Sequence, residues 1–123
     1  MRLHHVQVAI PAGGEPVARR FWVEGVGMAE VQKPEPLRGR GGLWVRHPGG
    51  AEVHVGVEDP FVPARKAHPA LLLDTVGTLD EVAERLAALG FEVDHRERET
   101  FPGHLRCHVR DGHGNRVELL APA

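Results

Sequence analysis

Nine histidines stand in this chain of 123 residues, and some of them recur with a fixed offset. His5 in LHHVQVAIP and His68 in KAHPALLLD lie 63 positions apart, as do Gly27 in VGM and Gly90 in LGF. His54 in EVHVGVE and Glu118 in RVELLAP lie 64 apart. Three imidazoles and one carboxylate form a donor set for a divalent ion. Nitrogen and carboxylate oxygen suit Ni, Zn, Fe, Mn or Co, and a catalytic centre needs three or four such donors and one open position. A repeat of this length predicts two similar structural units. Donors at matched points predict that the units share one metal site.

Strand alternation gives a first check on these positions, because successive side chains in a strand point to opposite faces. In EVHVGVE, His54 shares a face with Glu52 and Gly56, opposite Val53, Val55 and Val57. In RVELLAP, Glu118 opposes Val117 and Leu119. Taken singly, either residue fits a solvent-facing sheet equally well; the four matched positions favour a cavity. Gln7 falls on the face of His5. His104, Arg106 and His108 alternate with Leu105, Cys107 and Val109. Arg106 either binds a carboxylate or phosphate oxygen of a substrate bidentately or is simply an exposed strand residue. His108 can shuttle protons near neutral pH. Glu52 is a candidate to orient a ligand histidine, and Cys107 reads as core.

The elements that must position these groups alternate in type. His5 to Ile10 reads as a strand, with β-branched residues at every second place. Glu15 to Gly25 carries apolar residues at helical spacing, with Pro16 in its first turn. Ala29 to Lys33 reads as a strand, and Pro34 to Gly42 as a turn-rich loop. Leu43 to Arg46 and Glu52 to Val57 form a hairpin closed by HPGGA. After a connector, 59–66, the order repeats. Ala70 to Leu73 is a strand. Thr78 to Leu89 is a helix, with Thr78 as N-cap, Glu81 as capping-box partner and Gly90 beyond its end. Phe91 to Arg96 is a strand, Thr100 to His104 a loop, and Leu105 to Arg110 with Arg116 to Leu120 a hairpin closed by DGHGN. The fold expected is α+β: a single domain of two βαβββ modules, about 1–58 and 67–121, whose small antiparallel sheets surround a shared cavity.

Composition excludes several classes. A net charge of −2 and 13 arginines scattered without a basic stripe do not describe a nucleic-acid binder. No apolar run reaches the roughly 18 residues a membrane helix requires, and MRLHHVQVAIP lacks a signal-peptide layout. One cysteine permits no intrachain disulfide and points to a reducing cytosol. Serine is absent, so no Ser-His-Asp triad exists.

LHHVQVAIP, EVHVGVE, KAHPALLLD and DGHGNRVELLAP resemble the four signature strands of the vicinal oxygen chelate superfamily. That is the glyoxalase, bleomycin-resistance, fosfomycin-resistance and extradiol dioxygenase group. The last segment is the most specific, since the family usually carries Asp-Pro-x-Gly-Asn, a hydrophobic residue and then Glu-Leu. Here Gly112 stands in place of the proline, between Asp111 and His113. The resemblance implies a cupped, mixed β-sheet around one metal pocket, with His5, His54, His68 and Glu118 presented by the first, fourth, fifth and eighth strands. It places His108 where thiol-transferring relatives keep a substrate-contacting polar side chain, and Trp44 where an aromatic residue stands beside the substrate. Core packing is the other reading of Trp44. His at 54 departs from the commonest glyoxalase pattern, which has Glu or Gln there. The family also implies a homodimer.

The function expected is that of a divalent-metal-dependent enzyme acting on a small oxygenated molecule, chelated through vicinal oxygens. Isomerase or lyase chemistry, with Glu118 or His108 as base, stands ahead of extradiol-type dioxygenation and thiol transfer. Gln7, Trp44, His104, Arg106 and His108 would line the substrate pocket. The alternatives from another class are a metal-free drug-binding protein like the bleomycin-resistance members, and a ligand-sensing or toxin-trapping module.

Overall fold

A computed structural model describes all 123 residues, which form two compact units, Met1–Pro63 and Ala64–Ala123. No helix is long and apolar enough to cross a membrane.

The first unit contains β1 (Val6–Ile10), α1 (Glu15–Arg19), β2 (Ala29–Val31), β3 (Leu43–Arg46) and β4 (Glu52–Val57). Their order in the sheet is β1-β4-β3-β2. The sheet is mixed, as the family resemblance implies, where the residue pattern alone predicted an antiparallel one. β3 and β4 form the antiparallel hairpin, but β1 lies parallel to β4, with Gln7 opposite His54 and Val8 opposite Val55. The helix between β1 and the rest of the unit supplies the crossover that a parallel pair requires. The register puts Val8, Ile10, Leu43, Val45, Val53 and Val55 on one face, all buried. Gln7, Trp44 and His54 share the other.

The expected helix 15–25 is present, but its second half, Arg20–Gly25, is π-helical. That wider turn buries Phe21 and Trp22 completely, with their rings edge to face at 4.9 Å. Each such residue, withdrawn from water, stabilises the unit by about 1.5–3 kcal/mol. The loop 34–42 contains a 3-10 helix, Glu35–Arg40. Gly42, which follows the helix-ending Gly41, has φ +75°, and a Cβ there would meet the Val55 carbonyl oxygen at 2.0 Å. Only glycine lets the chain enter β3 so close to β4.

The second unit repeats the plan with β5 (Ala70–Leu72), α2 (Val76–Ala88), β6 (Val93–Asp94), β7 (His104–Arg110) and β8 (Arg116–Pro122). The order β5-β8-β7-β6 again begins with a parallel pair. Leu79, Val82, Ala83 and Leu86 form the buried stripe of α2 at spacings of three and four. The helix starts earlier than expected. Thr75, not Thr78, is the N-cap, and its Oγ1 accepts the Thr78 N–H at 3.1 Å. Extended backbone at Thr75 frees its hydroxyl for this bond, whereas Thr78 already lies inside the first turn. The strand expected over 91–96 shrinks to Val93–Asp94, because Asp94 turns to hold Arg96 through both its side chain and its N–H. His104, expected in a loop, opens β7 opposite Pro122.

Gly27 and Gly90, the repeated glycines, both have φ +92°. Each follows a helix, where a left-handed residue lets the chain turn back. After Gly90 the Phe91 N–H reaches the Leu86 carbonyl, the closing bond of a Schellman turn.

Candidate functional site

In the second unit the polar face of the sheet gathers three donors. Glu118 on β8 lies opposite His108 on β7, and His68 precedes β5, whose Ala70 also pairs with Glu118. Strand parity points all three side chains the same way. His68 Nε2 stands 3.2 Å and His108 Nε2 3.8 Å from Glu118 Oε2. One ligand atom from each of the three residues lies within 4.8 Å of the others.

The surroundings fix their protonation and orientation. Burial alone would raise the Glu118 carboxyl, but hydrogen bonds from Arg106 and His68 hold it below the ordinary carboxylate range. Burial pushes His108 down, against the nearby Glu118 charge. Both groups therefore sit at neutral pH in the form that offers a lone pair. His68 Nδ1 is 2.8 Å from the Lys66 carbonyl oxygen. Its Nε2 faces Glu118 Oε2 and, carrying the ring proton, donates to that carboxylate. Arg116 Nη2, 3.0 Å from the same Nδ1, also donates to the Lys66 carbonyl.

Arg106 serves Glu118. Its Nη1 donates to Glu118 Oε1 at 3.1 Å, its Nη2 to Thr100 Oγ1 at 2.7 Å and its Nε to the Glu97 carbonyl at 3.2 Å. These three bonds make Arg106 an anchor for Glu118. His104 stays out of the cluster; its ring meets Phe101 edge to face at 5.1 Å. Cys107, on the opposite face, is fully buried and its thiol is pushed up to about 11 by burial.

In the first unit, His5, His54 and Trp44 form one stack. His54 lies 3.8 Å from the His5 ring and 3.7 Å from the Trp44 ring, nearly parallel to both. Register explains the second contact, since Trp44 pairs with His54 across β3 and β4. His54 is buried, and burial followed by the neighbouring His5 lowers its pKa. Its Nε2 is buried without a hydrogen bond; the nearest charged atom is Glu52 Oε2 at 3.5 Å. A buried ring nitrogen without a partner costs about 1–3 kcal/mol, which fits a nitrogen kept for a ligand.

Glu52 is held by Arg46 through Nε at 2.8 Å and Nη2 at 2.5 Å. That hydrogen bonding keeps its carboxyl ionised below the usual range. His4, His5 and Glu52 also bring ligand atoms within 4.8 Å of one another. Sequence reasoning missed His4, Arg46 and Arg116. Arg116 was within reach of the alternation argument, being two residues from Glu118 on its face. His4 was not, because it precedes the regular strand. Each repeat-matched pair therefore has one member in each unit: His5 and His54 lie in the first, His68 and Glu118 in the second.

Gln7 and Trp44 line a pocket of about 510 Å³ in the first unit, together with His5 and His54. Gln7 lies over Gly56, where a Cβ would come within 2.2 Å of its Nε2.

Two βαβββ units, each carrying imidazole and carboxylate donors on the polar face of a mixed sheet, define the class. The chain belongs to the Glyoxalase/Bleomycin resistance protein/Dioxygenase superfamily, whose family model matches residues 2–119. It is 41% identical to a protein from Bacillus anthracis placed in the glyoxalase family, over all of this chain and 96% of that one, with a TM-score of 0.88. TnmS3, an antibiotic-binding protein from Streptomyces sp. CB03234, is 25% identical, with 100% and 99% of the two chains covered and a TM-score of 0.70. FosX, a fosfomycin resistance protein from Listeria monocytogenes, shares the fold at 16% identity and a TM-score of 0.76, over 100% and 94% of the chains. No protein of curated function matches the chain significantly.

Proposed function

We propose that the protein is a divalent-metal-dependent enzyme that acts on a small oxygenated molecule by isomerase or lyase chemistry. The observation that carries this reading is the gathering of His68 and Glu118 as donors beside His108, with Glu118 held by Arg106. In this reading His68 and Glu118, and His5 and His54 of the first unit, are the metal donors; the unpartnered His54 Nε2 supports its place among them. Ni, Zn, Fe, Mn or Co all accept imidazole and carboxylate.

A bound divalent ion would supply Lewis-acid polarisation of a substrate oxygen. The chain's own groups do the rest. His108, neutral at pH 7, takes a proton from the carbon beside that oxygen and returns it to the neighbouring atom, so no proton is gained or lost overall. Glu118 is the alternative base. Gln7 and Trp44 are the substrate-binding residues of this reading in the first unit. The enzyme works in the reducing cytosol, as its lone buried cysteine allows, and as a homodimer, as its superfamily commonly does. The reading of both units as one domain rests on the single family match that spans them.

Elemental analysis of the purified protein, with Glu118→Gln beside it, tests the site. About one equivalent of a transition metal, reduced at least tenfold in affinity in the variant, supports it. Unchanged metal content in the variant would sink it. The 25% identity to TnmS3 favours a second reading, in which the chain sequesters a small molecule without turning it over. Absence of metal, even after incubation with each candidate ion, selects that reading.

A further inference from the structure

The first unit's pocket has a charge pattern that the metal reading does not use. Its floor is the polar face of the sheet, with Gln7, Trp44 and His54 in one row across β1, β3 and β4. Lys33, beyond the end of β2, and Arg40, at the end of the 3-10 helix, complete the lining, and no carboxylate joins them. Two other arginines of this unit are matched by acids: Arg19 pairs with Glu30 and Arg46 with Glu52. Lys33 and Arg40 have no acidic partner, and the acceptor that Lys33 Nζ finds is the Gly41 carbonyl, a neutral group. Two cations without an ion pair therefore line the pocket with the half-buried Trp44 indole and the apolar Leu37 and Val57; the Glu15 carboxylate, outside the lining, accepts the Gly42 N–H behind Gly41. Cations concentrated in a concave site raise the local concentration of an anion, and an indole face supplies flat apolar contact.

We propose that this pocket binds a small planar anion, an aromatic or conjugated carboxylate or phospho-compound, with its ring against Trp44 and its charged oxygens on Lys33 and Arg40. Arg40 offers a planar fork for two oxygens, and Lys33 a point charge. Gln7, free to lie over Gly56, adds an amide donor at the floor. As a statement of substrate class this rests on the enzyme reading above; as a statement about binding it needs no metal.

Trp44 makes the test direct, because the other tryptophan, Trp22, is fully buried. Phenylphosphonate and its neutral dimethyl ester are titrated against the full chain while tryptophan emission is followed, with Trp44→Phe as the control that removes the signal. The anion is expected to bind at least tenfold more tightly than the ester. Lys33→Met/Arg40→Met should erase that preference, with ester binding and the circular dichroism spectrum unchanged. Equal affinity for anion and ester overturns the proposal, as does failure of either to bind at millimolar concentration or a double variant with its preference intact. The titration is repeated after chelator treatment and in Glu118→Gln. Anion binding that survives both supports the pocket, whatever the metal analysis shows. Binding that needs the metal and Glu118 overturns the pocket and leaves the enzyme reading standing.

Discussion

Replacing Arg106 with Met should destabilise the metal-free protein by about 2–3 kcal/mol, because it strands a buried carboxylate. Glu118 has only 5% of its surface exposed. Arg106 gives its Oε1 a charged hydrogen bond at 3.1 Å and is itself 18% exposed at the side chain. Breaking a fully buried ion pair by removing one partner costs about 3–5 kcal/mol; the partial access of water to Arg106 argues for the low side of that range or just beneath it. The bonds from Arg106 to Thr100 Oγ1 and the Glu97 carbonyl are lost as well, and they tie the 97–100 segment to β7. Methionine keeps most of the aliphatic stem, so loss of volume contributes little. Urea unfolding of chelator-treated protein measures the cost as a shift in midpoint at constant slope. Glu118→Gln in the Arg106→Met background removes the stranded charge and should recover at least about half of the loss. A cost below about 1 kcal/mol, or a double variant no better than Arg106→Met, would refute the account of Glu118 as a buried carboxylate that depends on Arg106.

Three further outcomes follow from particular residues. Thr75→Ala should cost about 1 kcal/mol through loss of the N-cap bond, and Thr78→Ala clearly less; equal losses in urea unfolding would move the cap back to Thr78. Gly112 has φ +88°, which proline cannot adopt, so Gly112→Pro should lower the thermal midpoint although proline is the family's usual residue there; an unchanged midpoint would mean that the turn rebuilds itself. Cys107 ties stability to pH: with its thiol raised by burial from an ordinary 9.0 to about 11, the folded state keeps a proton that the unfolded chain releases near 9.0. That stabilisation is complete below the unfolded value and falls away as pH rises toward 11, by roughly 2–3 kcal/mol, and Cys107→Ala should flatten the decline; parallel profiles for the two proteins would contradict it.

Much of the molecule was legible in the sequence because its signals are local. The 63-residue offset between Gly27 and Gly90 marked two helix ends with the same left-handed backbone. Period-two alternation placed Glu118 and His108 on one face of a strand pair, and the family resemblance rested on those same strands. The expected helix over 15–25 is present because its apolar spacing must bury Phe21 and Trp22 in either helical form. What the sequence could not decide was pairing between distant segments. The parallel contact of β1 with β4 depends on which strand edge each unit leaves free after its hairpin closes, and alternation is blind to strand direction. Arg106 read equally well as a substrate ligand or a surface residue; only the tertiary structure put Thr100 and Glu118 within its reach. The Trp44–His54–His5 stack needed three strands in register. Lys33 and Arg40 were two more scattered cations until the fold placed both in the lining of a common pocket. Local pattern sets which face a side chain takes; only the assembled sheet sets what it meets there.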